Sequence, residues 1–176
     1  MKKLLLSAVI IVVVSISAFS QTDKKFSFSV GPELSLPTGS FNNTHSLGVG
    51  GSVQAEYYVM EKLKATATLG LLAYAGKKSV LLNPDRAAQR IVPLRIGAKY
   101  YLVNRLYGGA QLGVAFLSNY AQHSGTAFAY SPLMLGYEFN AGSGKSLDAT
   151  IKYDAYTGAG GLGTIGTFGI RLAYVF

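Results

Sequence analysis

Thr167-Phe168-Gly169-Ile170-Arg171-Leu172-Ala173-Tyr174-Val175-Phe176 is the stretch that decides the fold. It alternates strictly. Phe168, Ile170, Leu172, Tyr174 and Phe176 share one face, and Thr167, Gly169, Arg171, Ala173 and Val175 share the other. Period-two alternation sends successive side chains to opposite sides of a strand, so this segment has one apolar face and one mixed face. A strand that carries its apolar face to the last residue is expected to close a sheet.

The same period runs back along the chain. Seven further alternating segments precede the closing one, at about 25–36, 47–59, 63–75, 91–102, 106–116, from 127 and from 147. Their apolar sets include Phe26, Phe28 and Val30; Val49, Val53, Ala55 and Tyr57; and Leu94, Ile96, Ala98 and Tyr100. Short turns, Met60-Glu61-Lys62 and Val103-Asn104-Arg105, together with the Gly-rich 140–146, alternate with longer connections at 37–46, 77–90, 118–126 and 157–164. The expected fold is all-β: an eight-stranded antiparallel up-and-down transmembrane barrel, with short turns on one side and long loops on the other.

Composition narrows the class. Charged residues make up only 14% of the chain and Gly numbers 21, yet beyond residue 20 no apolar run reaches the ~20 residues of a membrane helix. With no Cys, a disulfide scaffold is excluded. Met1-Lys2-Lys3, the apolar run 4–14 and Ala18-Phe19-Ser20 have the order of a cleavable export signal. The expected organisation is a signal peptide at 1–20 and a barrel domain at 21–176. The formal net charge is +8, two units of it in Lys2 and Lys3. In an exported chain that excess points to anionic lipid headgroups and surface polysaccharide, and not to nucleic acid.

On the parity opposite the apolar one lie Glu33, Glu56, Lys64, Arg95, Lys99, Glu138, Asp148, Lys152, Asp154 and Arg171. The signs balance, and such residues in a narrow interior are expected to form a paired network that fills the lumen and leaves no diffusion pore. Phe26, Phe28, Tyr57, Tyr100, Tyr137, Phe139, Tyr174 and Phe176 are expected at one level, as an aromatic girdle on the turn side. Pro32, Pro93 and Pro132 fall inside strands, where Pro cannot donate to the ladder; Pro32 is expected to mark a bulge or kink, and Pro93 and Pro132 to lie where pairing frays or bulges.

Three constellations raise chemistry. Gln122-His123-Ser124 and His45 could serve a surface lipid hydrolase, but they fall in predicted loops and read as solvated histidines. Lys77, Lys78, Arg86 and Arg90 make one loop basic, a match for lipopolysaccharide phosphates or sugars. The Gly-rich 157–163 has no following helix and reads as a loop, not a phosphate cradle. No catalytic, cofactor or metal site is expected.

The C-terminal spacing Thr167, Gly169, Leu172, Tyr174 and Phe176 resembles the assembly signal of bacterial outer-membrane barrels, which implies delivery by the barrel-assembly machinery. The segments 91–102 (IVPLRIGAKYYL) and 106–113 (LYGGAQLG) carry a wider likeness. The chain resembles the OmpA/OmpX-like outer-membrane β-barrel domain family, in its Bacteroidetes-type branch. The resemblance implies a monomer in the outer membrane, among lipid and lipopolysaccharide, with a structural or surface-interaction role. The alternatives are a lipid-modifying barrel enzyme (lipid A deacylase-like) or a narrow porin-like passive channel. A soluble lipocalin-like barrel would reverse the two faces.

Overall fold

The computed structural model describes residues 25–77, 88–119, 124–142, 145–158 and 164–176. Eight strands form a closed barrel in sequence order: β1 (Phe26–Thr38), β2 (His45–Met60), β3 (Leu63–Gly76), β4 (Gln89–Val103), β5 (Leu106–Asn119), β6 (Ser124–Gly142), β7 (Lys145–Thr157) and β8 (Ile165–Val175). Every pairing is antiparallel, and β8 closes on β1 through Ser29↔Val175, Glu33↔Arg171 and Pro37↔Thr167. The strand that ends the chain therefore seals the sheet, which removes both edges and leaves no open ladder. The signal peptide expected at 1–20 lies outside the described residues.

Each strand runs past its alternating segment at one end or both, because backbone pairing continues after the hydrophobic pattern stops. β6 gains most and runs from Ser124 to Gly142. Glu61-Lys62 and Asn104-Arg105 each join two strands at one end of the barrel, and Gly142 of β6 pairs with Lys145 of β7 at the same end. The first and last described residues are held there: the Phe176 amide donates to the Phe28 carbonyl at 2.8 Å, and the Tyr58 amide to the Lys25 carbonyl at 2.9 Å. At the other end the first loop is not wholly irregular. It contains a short helix, α1 (Gly39–Thr44), which turns Phe41 into the barrel mouth.

The prolines divide. No bulge forms at Pro32: β1 keeps one register against β2 from Phe26↔Tyr57 to Ser35↔Gly48, and one register against β8. The expectation of a bulge there is corrected. Pro32 and its neighbour Gly31 simply drop out of the β8 ladder. A Cβ on Gly31 would stand 2.1 Å from the Leu172 carbonyl oxygen, so the strands approach too closely for any side chain. Pro93 keeps register with Ala115 of β5, while on its other side the ladder to β3 lapses at Val92 and Pro93, between Leu69↔Leu94 and Leu72↔Ile91, as expected of a strand proline. Pro132 does mark a bulge, with register shifts against β5 between Gly109 and Gln111 and against β7 between Tyr130 and Leu133. Pro132 and Leu133 both point outward as a result. Unbroken alternation would put Ala129 and Ser131 outside with Leu133; the extra residue turns them inward, where both are fully buried.

The two faces follow from this register. Leu69, Leu71, Leu94, Ile96, Leu112, Ile151, Ile170 and Leu172 are all about half exposed on the outer wall. Lys64, Arg95, Lys99, Asp148 and Asp154 are buried within. Tyr107 lies over Gly136, where a Cβ would come within 2.2 Å of its ring and hydroxyl, so the glycine makes room for a fully buried aromatic in the lumen.

Candidate functional site

The lumen is built in tiers, each set by the strand register. At the turn end, β2, β3, β4, β6 and β7 supply Glu56, Lys64, Lys99, Glu138 and Asp148. Lys99 Nζ lies 2.6 Å from Glu56 Oε1 and 2.5 Å from Asp148 Oδ2, and Lys64 Nζ lies 3.0 Å from Glu56 Oε2 and 3.3 Å from Glu138 Oε1. Bonds from β4 to β7 and from β3 to β6 span the barrel, which is possible only if these side chains point to its axis. Aromatic faces complete the tier: Lys99 Nζ sits 4.3 Å from the Tyr107 ring centre, and Lys64 Nζ 4.5 Å from that of Tyr58. The Tyr107 hydroxyl donates to Asp148, and the Tyr101 hydroxyl to Glu138. Below this tier a vestibule of about 450 Å³ opens between Tyr58, Lys62, Tyr101, Asn104 and Glu138.

Above it is an uncharged belt. Gln111 Nε2 donates to Thr66 Oγ1 at 3.0 Å and Thr68 Oγ1 at 2.9 Å, and the Thr68 hydroxyl donates to Gln54 Oε1 at 2.9 Å. The second charged tier follows. Arg95 Nη1 reaches Asp154 Oδ1 at 2.5 Å and Ser131 Oγ at 2.6 Å. Lys152 Nζ bridges Glu33 at 3.1 Å and Asp154 at 3.4 Å. Arg171 Nε stands 3.7 Å from Glu33 Oε1 and donates to Ser52 Oγ at 2.8 Å, and its Nη2 donates to Ser29 Oγ at 2.9 Å. All ten lumen charges read from the sequence thus face one interior, and each is in an ion pair. Removing so many charges from water is costly, and the mutual pairing with hydroxyl and amide bonds offsets that cost.

The loop-end third of the lumen is different, and sequence reasoning missed it. Leu72, Tyr74, Ile91, Ala115, Leu117, Ala127, Ala129, Tyr156 and Ile165 form a buried apolar cluster, capped by Phe41. Phe41 stacks on His45 with ring centres 4.4 Å apart and meets Tyr74 edge-on at 5.2 Å. The Tyr74 hydroxyl reaches Ser35 Oγ at 2.7 Å, so the cap is hydrogen-bonded to the polar tier beneath. The available signal was apolar residues on both parities at the loop-side ends of β3 and β4, in Leu71-Leu72 and Ile91-Val92.

The eight turn-side aromatics lie on the outer parity near the turn end. Phe26 pairs in register with Tyr57, their rings 4.8 Å apart; Tyr137 and Phe139 are 4.8 Å apart, and Tyr174 and Phe176 5.0 Å. Phe28 and Tyr100 complete the group. A second outward set, unforeseen from sequence, lies toward the loops: Phe116, Phe128 with Tyr130, and Tyr153 with Phe168. The closing-strand residues Thr167, Gly169, Leu172, Tyr174 and Phe176 occupy the β8–β1 and β8–β7 seams, Leu172 facing out and Thr167 in.

Of the loop residues, Lys77 Nζ donates to the Asn42 carbonyl at 2.6 Å and so ties α1 to the end of β3. Arg90 points outward on β4. Lys78, Arg86, Gln122 and His123 lie outside the described residues, as does most of the Gly-rich loop. His45 is committed to Thr44 Oγ1 at 2.8 Å and to Phe41, which leaves it in a packing role. Carboxylate oxygens of Glu56, Glu138 and Asp148 lie within 4.8 Å of one another, but Lys64 and Lys99 already supply their countercharge. Chemically, the described lumen is suited to hold its strands together.

No protein-family model matches the chain, and no curated protein matches it significantly. Solved structures share its fold. Neisserial surface protein A (NspA) superposes with a TM-score of 0.66 at 13% identity, covering 85% of this chain and 95% of that one. Ail, the attachment invasion locus protein of Yersinia pestis, gives 0.55 at 18% identity over 86% and 98%. The outer membrane protein OprG from Pseudomonas aeruginosa gives 0.54 at 12% identity over 86% and 95%. The chain has the architecture of the small eight-stranded outer-membrane barrels.

Proposed function

We propose that the protein is an integral outer-membrane barrel with a structural or surface-interaction role, monomeric and without catalysis. The observation that carries this reading is the outer wall. Half-exposed Leu, Ile, Val and Phe ring the whole barrel, as Leu34, Val53, Leu69, Ile96, Leu112, Leu135, Ile151 and Ile170 on all eight strands. A soluble protein does not expose an apolar band of that extent, whereas lipid solvates it. The likeness in fold to outer-membrane proteins of other bacteria supports the same location.

In this reading the turns and both chain ends face the periplasm, and α1 and the longer loops face outward. The tiered lumen keeps the barrel closed and rigid, and recognition falls to the loops. Lys77 and Arg90 stand at the loop end, where lipopolysaccharide phosphates would lie. The closing strand would serve as the signal to the barrel-assembly machinery. Carbonate washing of membranes from cells that make the protein tests the central step. The barrel is expected to stay in the pellet and to migrate on detergent gels as two forms, faster when unheated. Release into the wash would sink the proposal.

A further inference from the structure

The two charged tiers are not each neutral. Glu56, Glu138 and Asp148 face Lys64 and Lys99 at the turn end, an excess of one negative charge next to the open vestibule. In the upper tier Arg95, Lys152 and Arg171 face Glu33 and Asp154, an excess of one positive charge. The neutral Gln54–Thr66–Thr68–Gln111 belt separates them. The negative tier has water at hand to screen it. The positive tier is enclosed by the belt below and the apolar cap above.

The same tier holds donors that nothing satisfies. Arg95 Nε and Nη2, Arg171 Nη1 and the Tyr156 hydroxyl have no hydrogen-bond partner among the described residues; neither does the acceptor Asp154 Oδ2, whose charge Lys152 Nζ faces at 3.4 Å. Each of these residues is 3% exposed or less. Arg95 and Tyr156 are neighbours. Arg95 is bound to Asp154, Thr167 sits directly across from Asp154 in the β7–β8 ladder, and Tyr156 is the next inward residue on β7. The free edge of Arg95, Nε with Nη2, is the fork that grips an anion side-on. A buried donor without a partner is costly, and an uncompensated buried positive charge more so.

We propose that this tier binds a small monovalent anion, of chloride or nitrate size, on the Arg95 fork with help from Tyr156, the charge of Arg171 supplying the excess that the ion balances. A water molecule would satisfy donors but not the charge, so the excess of one positive charge decides for the anion. The ion would be enclosed as the barrel closes, and it would make folding sensitive to the anion present.

The test is to refold the whole barrel in bromide and collect anomalous diffraction. A bromide peak within hydrogen-bond distance of Arg95 Nε or Nη2 is expected. The Arg171→Met variant, whose tier is neutral while the Arg95 fork is intact, should bind bromide about tenfold or more weakly. As a measurement that needs no variant, the thermal midpoint of the wild-type barrel in micelles should be higher in chloride than in gluconate at equal ionic strength. Non-anomalous water at the fork, or bromide only on the surface together with equal midpoints in the two salts, would overturn the proposal.

Discussion

Replacing Lys99 by Met is expected to destabilise the barrel by about 3–5 kcal/mol, the cost of leaving buried charges without their partner. Lys99 is 1% exposed and bridges Glu56 and Asp148 across the lumen. Its loss leaves Glu56 with Lys64 as its one cation beside the Gln54 amide, and Asp148 with only hydroxyl donors, Tyr107 and Thr150. Methionine fills most of the volume, so the effect is electrostatic and not a cavity. The midpoint of urea unfolding, read from the folded and unfolded gel bands, measures it. Combining Lys99→Met with Glu56→Gln and Asp148→Asn should recover part of the loss, because the stranded charges are then gone. A change below about 1 kcal/mol for the single variant would mean that water reaches this tier freely.

The second large effect lies on the opposite face. Ile96→Arg is expected to cost about 2–4 kcal/mol in a bilayer. Ile96 is 61% exposed at mid-height on β4, between Ala67 of β3 and Leu112 of β5. In water an exposed isoleucine exchanged for arginine changes stability by no more than about 0.5 kcal/mol. The size of the effect therefore reports the solvent. Unfolding the variant from lipid vesicles and comparing it with wild type gives the number; near-neutrality would place the outer wall in water.

Alternation made most of this structure legible. Where one parity is apolar and the other charged, as in Leu94-Arg95-Ile96 or Ile170-Arg171-Leu172, the register and both faces follow from period two alone. The ten lumen charges were found in that way. Their pairing was not legible, since it depends on the stagger of strands around the barrel. Lys64 meets Glu138 three strands away, and no sequence spacing encodes that.

The errors have physical causes too. Near the loop end both parities are apolar, because Leu72, Tyr74 and Ile91 pack against each other inside while Leu71 and Val92 face outward. A pattern that looks for contrast is blind there. The bulge at Pro132 shifts the parity of β6, so Ala129 and Ser131 turn inward. Pro32 suggests a bulge on the same grounds, but its missing N–H falls opposite β8, where pairing lapses without an extra residue. Phe41 belongs to a six-residue helix whose position depends on the lumen it caps, and its own segment carries no periodic signal.

The central claim is that the apolar parity faces lipid and the charged parity faces the lumen. The chain contains no Trp, so a single introduced one reports without background. Leu69→Trp, Leu71→Trp and Ile151→Trp barrels should be refolded into vesicles whose acyl chains carry bromine. The predicted result is strong quenching of all three fluorophores relative to unbrominated vesicles. Unquenched emission from all three, with the protein folded, would contradict it and reverse the inside and outside of the barrel.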